Sequence, residues 1–227
     1  MKKFPEMIAI EGIDGSGKGT QARQLAERLN AMGQKTLVLS FPDYEKPFGK
    51  LVADYLNGKF GDLQSAPVIP VSLLYAMNRK EVMTKLWELK KAVDAVGTPV
   101  VVILDRYTGS NLAHQGARLP GDERDAYYEL MEYTEYSLNS LPRPDVTIFL
   151  DVEEATAHDN VAKKGDRSYT AAKHDLHESS TDYMTEVRGV YRDLSDKYGW
   201  RRIVCSTGGV MRSAEDIGHE VFSRAFL

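Results

Sequence analysis

Gly12-Ile13-Asp14-Gly15-Ser16-Gly17-Lys18-Gly19-Thr20 has the residue types and spacing to hold the phosphates of a nucleoside triphosphate. Glycines at 12, 15 and 17 let the backbone curl until its N–H groups converge on phosphate oxygens. A helix starting just after them adds the positive end of its dipole. Lys18 supplies a point charge for the outer phosphates. A Ser or Thr usually follows that lysine and binds Mg²⁺ through its hydroxyl. Here Gly19 follows it, with Thr20 next, so a magnesium ion must be held by other groups or through water. Asp14 also calls for a reason, because a carboxylate beside phosphates is repelled. A nearby metal ion or sugar hydroxyl would offset that repulsion; the plainer alternative is a hydrogen bond that stabilises the loop.

A second cluster follows the apolar run ending Val101-Val102-Ile103-Leu104, where the chain reads Asp105-Arg106-Tyr107. Arg106 can clamp a phosphate with paired donors, as a lysine cannot. Asp105 can hold a metal-bound water or orient the arginine, and a simple salt-bridged pair is the bland alternative. Tyr75 and Arg79 stand four residues apart, which puts them on one helix face. His114 has no His or Cys partner at metal-ligand spacing, so a zinc role is not expected.

The elements that must position these residues read as alternating strands and helices. Met7 to Ile10, Val100 to Leu104 and Val146 to Leu150 are continuous apolar runs, as in buried parallel strands. Thr36 to Ser40 and Arg202 to Cys205 are two weaker candidates. Ala22, Leu25, Ala26 and Leu29 share a helical spacing, as do Val82, Leu86, Leu89 and Val93. Longer helices are predicted from Val71 to about Val96 and from Glu178 to about Tyr198. This order implies an α/β fold: a five-stranded parallel sheet of the P-loop NTPase type with helices on both faces. In such sheets ligands sit beyond the carboxyl ends of the strands, where both clusters fall. The polar stretch Lys163 to Ser180 reads as a surface loop inserted in a single domain of residues 1–227.

The 227 residues suffice for one domain with a substantial core. At 42% hydrophobic and 27% charged, the composition is that of a globular protein. A net charge of -4 argues against a nucleic-acid polymer as partner but allows a small anionic substrate. The single cysteine, Cys205, excludes an internal disulfide framework and fits a reducing compartment. No run approaches the roughly 20 apolar residues of a membrane span, and Met7 to Ile10 is too short for a signal-peptide core. A cytoplasmic protein is the expectation.

Taken together, Glu11-Gly12-Ile13-Asp14-Gly15-Ser16-Gly17-Lys18 and Asp105-Arg106-Tyr107 resemble the thymidylate kinase family, and the resemblance runs nearly the full chain. Phe41-Pro42 follows the second strand. Gly58-Lys59-Phe60-Gly61-Asp62 precedes the helix bearing Leu74-Tyr75-Ala76-Met77-Asn78-Arg79. Ser110-Asn111-Leu112-Ala113-His114-Gln115 follows the Asp-Arg-Tyr, and Leu141-Pro142-Arg143-Pro144-Asp145 introduces the fourth strand. The Gly-Lys-Gly-Thr ending is also similar to adenylate kinases, which points to nucleoside-monophosphate kinases rather than GTPases.

The resemblance implies transfer of the γ-phosphoryl group of ATP to dTMP, with Mg²⁺ as cofactor and a homodimeric state. It implies that Gly12 to Thr20 bind ATP and that Lys18, Arg106, Asp14 and Arg167 serve catalysis. Phe41, Tyr75, Arg79, Arg106, Ser110, Asn111, His114 and Gln115 would bind the acceptor, with Tyr75 stacking on thymine and Arg79 reaching the base or the acceptor phosphate. Asp14 and Asp105 would hold the metal directly or through water. Two departures stand out. Asp43-Tyr44 occupies the place where relatives carry an arginine for the acceptor phosphate, leaving Lys46 and Lys50 as nearby cations. The P-loop lacks the extra arginine of some relatives, so Arg167, with Lys163, Lys164 and Lys173, makes the stretch at about 163–180 read as a basic lid.

Two rival readings remain at this level. One is a kinase for another nucleoside monophosphate, which would share the phosphate chemistry and differ around Tyr75, Arg79, Asn111 and Gln115. The other is a nucleotide-dependent switch without an acceptor, but the chain has no Asn-Lys-x-Asp guanine-reading segment.

Overall fold

The computed structural model describes residues 5–95, 97, 99–162, 176 and 181–226. Five parallel strands form the central sheet in the order β2-β3-β1-β4-β5: β1 Met7–Glu11, β2 Lys35–Ser40, β3 Val100–Asp105, β4 Val146–Asp151 and β5 Arg201–Val204. All five predicted strands are present. The continuous apolar runs are the three central strands, buried on both faces. The weaker candidates β2 and β5 lie at the edges, where half-exposed backbone tolerates Lys35 and Arg202. A short hairpin of β6 Ser206–Thr207 and β7 Val210–Met211 follows.

Helices cover both faces. They are α1 Lys18–Ala31, α2 Pro47–Leu56, α3 Val68–Ala95, α4 Thr108–Gly116, α5 Gly121–Glu132, α6 Glu154–Ala162, α7 Thr181–Tyr198 and α8 Ala214–Ala225. A π-helical turn, Tyr133–Leu138, continues α5. Alternate residues of β1 serve opposite faces: Ile8 and Ile10 pack with Leu25 and Leu29 of α1, while Met7 and Ala9 pack with Met83 of α3. The α1 stripe of Ala22, Leu25, Ala26 and Leu29 is buried as its spacing requires. The α3 stripe is buried only in part, with Leu89 58% and Val93 39% exposed.

The carboxylate ending β4 ties the last third of the chain to the sheet. Asp151 is fully buried and receives Arg188 and Arg192 of α7 and Arg202 of β5. Burial pushes its carboxyl pKa up, but hydrogen bonds from the arginines outweigh this and hold it below the usual carboxylate range. At the end of β5, Cys205 is buried, and burial pushes its thiol up to about 12, so it packs as an inert side chain.

Candidate active site

The glycine loop joins β1 to α1 as its composition demands. Gly12, Gly15 and Gly17 have φ of 146°, 81° and 89°, values that side chains other than glycine rarely adopt. Gly15 is also sterically obligatory, because a Cβ there would stand 2.0 Å from the Ala157 carbonyl oxygen of α6. Asn160, one turn further along α6, donates to the Gly15 carbonyl at 3.1 Å. The loop therefore rests backbone-to-backbone on α6. Ile13 and Ser16 are buried beneath it. Lys18 Nζ spans the loop, donating to Ile13 O at 2.8 Å with Ser16 Oγ at 3.4 Å. Thr20 opens on the cavity above, which Asp14, Gly15, Gly17, Lys18, Gly19, Asp105 and Arg106 also line.

Gly19 has a spatial reason. A Cβ at this position would lie 2.8 Å from Asp105 Oδ2. The carboxylate ending β3 thus occupies the space beside the loop that a Ser or Thr side chain would need. Ser40 Oγ at the end of β2 lies 3.4 Å from the same oxygen.

Arg106 sits where β3 turns into α4, at φ 69°, the left-handed region that costs a side-chain-bearing residue strain. The turn is held against β1: Arg106 N–H donates to Ile10 O at 3.0 Å and Tyr107 N–H to Glu11 Oε1 at 2.9 Å. Glu11 Oε2 accepts from Ser110 Oγ at 2.5 Å and from Tyr191 OH of α7 at 3.3 Å. This fully buried carboxylate joins the strand before the P-loop to the Asp-Arg-Tyr turn, and the sequence reading assigned it no role. Its signal was local: a carboxylate ending an otherwise apolar strand, which must find partners when buried.

The guanidinium of Arg106 donates to Asp14, to Gly12 O at 3.3 Å and to Ser110 Oγ at 3.3 Å. Burial pulls its pKa down, but the neighbouring Asp14 carboxylate raises it well above the usual arginine value, so Arg106 is a fixed cation. Asp14 is thereby engaged as the partner of this arginine.

A second cleft, with about 520 Å³ of space partly open to solvent, adjoins the loop at Asp14 and Arg106. Its walls bring together all eight residues expected to bind the acceptor: Phe41, Tyr75, Arg79, Arg106, Ser110, Asn111, His114 and Gln115. Tyr75 stands edge-on to Tyr55 with centroids 6.5 Å apart, which fixes its ring. His114 is buried beneath Tyr183, whose hydroxyl donates to the His114 carbonyl at 2.7 Å, and Tyr191 meets its ring edge-on. Tyr44 lines the cleft where an arginine was missed in the sequence; Lys46 and Lys50 are exposed and outside its lining.

Arg79 is 2% exposed and bound to Glu135 of the π-helical turn: Nε lies 3.1 Å from each carboxylate oxygen and Nη2 also contacts Oε1. Burial lowers the guanidinium pKa, but Glu135 more than restores it, so the pair is ionised and internally neutral. Nη1 lies 3.5 Å from Tyr107 O. Glu135 is the second residue that sequence reasoning missed.

Two side-chain amides on one face of α4 are oriented by their surroundings. Asn111 Nδ2 donates to Ser72 O at 3.1 Å, which turns Oδ1 the other way; that buried oxygen has no partner. Gln115 Oε1 accepts from Arg118 at 2.7 Å, which leaves Nε2 buried and unpaired. Both residues line the cleft, and each keeps one buried polar atom without a partner, an acceptor on Asn111 and a donor on Gln115. Arg167, with Lys163, Lys164 and Lys173, lies outside the described residues.

The sequence as a whole agrees with this geometry. A family model described as thymidylate kinase matches residues 10–215. The thymidylate kinase of Mycobacterium tuberculosis is 31% identical over 195 residues, covering 86% of this chain and 87% of the relative. The human thymidylate kinase is 29% identical over 202 residues, covering 88% and 82%. A solved thymidylate kinase structure from Candida albicans superposes with a TM-score of 0.68 at 22% identity, covering 96% of this chain and 89% of that one; this likeness speaks to the fold. The family model spans most of the chain and the mycobacterial relative aligns with 86% of it at 31% identity, so the chain belongs to the thymidylate kinase family.

Proposed function

We propose that the chain transfers the γ-phosphoryl group of ATP to the 5′-phosphate of dTMP, giving dTDP and ADP. The observation that carries the acceptor side is the amide pair of α4 in the wall of the cleft: Asn111 Oδ1, an acceptor, and Gln115 Nε2, a donor, are each buried without a partner. The Watson–Crick edge of thymine offers an N3–H donor flanked by carbonyl acceptors, which complements that pair. Cytosine offers an unprotonated N3 at the same place and would leave Asn111 Oδ1 facing a lone pair. Tyr75 supplies the stacking wall. Arg79, neutralised by Glu135, is suited to donating to a base carbonyl rather than to carrying a phosphate charge.

Phosphoryl transfer needs two phosphates held in line and the developing charge neutralised. In this reading Lys18 and the N–H groups of Gly12 to Thr20 hold the donor, and Arg106 bridges the acceptor and transferred phosphates. Asp105 and Asp14 suit a hard cation such as Mg²⁺, which supplies charge neutralisation on donor oxygens when bound. The carboxylate standing in place of a side chain at position 19 supports Asp105 as the principal ligand. Among the described residues no group of three His, Cys, Asp or Glu could hold a metal alone, so phosphate oxygens and water would complete the shell. The chain would act as one kinase domain, with about 163–180 as its lid and Arg167 as the lid cation. A homodimer is what the family resemblance implies; Leu89 and Val93, exposed one turn apart on α3, are apolar surface that a second copy would cover. A cytoplasmic location agrees with the finding that no described helix is long and apolar enough to cross a membrane.

A coupled assay of ADP release across dTMP, dUMP, dCMP, dAMP and dGMP tests this reading. The expected result is highest kcat/KM with dTMP and a loss of roughly two orders of magnitude or more with dCMP, since a site built for N3–H is left unpaired. Comparable turnover of dCMP, or none of dTMP, would refute it. The amide pair also fits uracil, so the ratio of dTMP to dUMP measures how the cleft treats the 5-methyl group.

A further inference from the structure

The cavity over the glycine loop has one cation that neither the motif nor the Asp-Arg-Tyr turn supplies. Arg23 lies on α1 four residues after Gly19 and so on the same helix face. It lines the cavity of about 540 Å³ together with Lys18, Gly19, Thr20, Asp105 and Arg106. Its Nη1 lies 3.5 Å from where a Cβ of Gly19 would stand, so the guanidinium extends back along α1 toward its N-terminus and the glycine loop. A Cβ at position 19 would be in ordinary contact with Arg23 and would crowd only Asp105 Oδ2, at 2.8 Å.

We propose that Arg23 is a donor-phosphate-binding residue that reaches the outer phosphates of ATP from the wall of this cavity. Two observations carry the assignment beyond proximity. First, Arg23 makes no hydrogen bond or ion pair among the described residues, whereas Arg106 is committed to Asp14 and Lys18 to the loop. Second, the charges lining the cavity decide its sign. Lys18 and Arg106 are matched by Asp14 and Asp105, so the cavity is cationic only because Arg23 is there. A triphosphate needs that surplus. An arginine one turn into α1 thus takes the part that the glycine loop of this chain leaves unfilled. Its planar fork can pair with two phosphate oxygens at once.

The assignment rests on the reading of the loop as an ATP site, and calorimetric titration of ATP, ADP and AMP without acceptor separates the two. Arg23→Ala should raise the Kd for ATP about tenfold, the loss of one charge-assisted contact. The factor should be smaller for ADP and near one for AMP, and Arg23→Lys should recover part of the ATP affinity. A helix-surface role would not produce that dependence on phosphate number. An ATP Kd within twofold of wild type in Arg23→Ala, or the same factor for all three nucleotides, overturns the assignment while leaving the kinase reading intact. A wild-type chain that binds no ATP overturns both.

Discussion

Glu135→Ala should be among the most damaging single changes in the acceptor half of the molecule. Arg79 and Glu135 each have side chains only 3% exposed. The carboxylate meets the guanidinium through Nε, 3.1 Å from both oxygens, and through Nη2. Removing it leaves a buried cation whose remaining neighbour is Tyr107 O at 3.5 Å. Breaking a buried pair from one side costs about 3–5 kcal/mol, a large share of the roughly 5–15 kcal/mol that holds a typical domain together. For a chain of this size each kcal/mol lowers Tm by about 2–4 °C, so the melt should fall by roughly 6–20 °C. Urea unfolding followed by the fluorescence of Trp87 and Trp200 measures the loss. The double variant Arg79→Met with Glu135→Met supplies the control. With both charges gone and comparable volume kept, most of the stability should return, although acceptor binding should not. A Glu135→Ala protein within about 1 kcal/mol of wild type would refute the reasoning. So would a double variant as unstable as the sum of the two single ones.

Other changes probe the loop, the clamp and the sheet. Arg106→Ala should lower kcat by about 10³ with the fold retained, because its partner Asp14 is part-exposed and can rehydrate. Near-normal turnover in a folded variant would remove Arg106 from the clamp. Gly15→Ala should weaken ATP binding at least about tenfold, through strain at φ 81° and collision with Ala157 O. Gly17→Ala, which meets nothing within 4 Å, should cost only the left-handed penalty of about 1–2 kcal/mol. Equal effects in calorimetry would argue against the α6 contact as the cause. Asp151, with its pKa depressed, contributes stability that is complete above the unfolded carboxyl value of about 3.9 and is lost as pH falls toward its native value. Asp151→Asn should therefore lower stability at neutral pH and flatten the acid limb below about pH 4; an unchanged acid limb would contradict this.

The parts of the site that sequence alone revealed are those encoded within a few residues. The glycine loop is one continuous segment, and its strand and helix flank it directly. The Asp-Arg-Tyr turn likewise ends a run too apolar to lie anywhere but the sheet centre. The family resemblance then supplied Tyr75, Arg79, Asn111 and Gln115, which the structure gathers around one cleft. What stayed hidden depends on distant partners. Glu11 meets Tyr107, Ser110 and Tyr191 from elements 96 to 180 residues away. Glu135 meets Arg79 from 56 residues away, on a π-helical turn that has no clear local code. Hydropathy also ended β1, β3 and β4 one residue early, each time at a carboxylate: Glu11, Asp105 or Asp151. Those polar residues complete the strands at the end of the sheet where ligands bind. Leu89 and Val93 mislead in the opposite sense, since their apolar spacing predicts burial that this single chain does not provide.

The bonds of Glu11 bear on how the enzyme keeps its two substrates in step. On the proposed reading, the strand that ends at this residue runs straight into the loop that would hold the donor, while its carboxylate grips the turn whose Arg106 would reach the acceptor. Both halves are thus gauged from a single datum. A shift of the glycine loop would then carry Arg106 with it, so the spacing between the two bound phosphates should vary less than the position of either one. An in-line transfer is far more sensitive to that separation than to where the pair sits in the molecule.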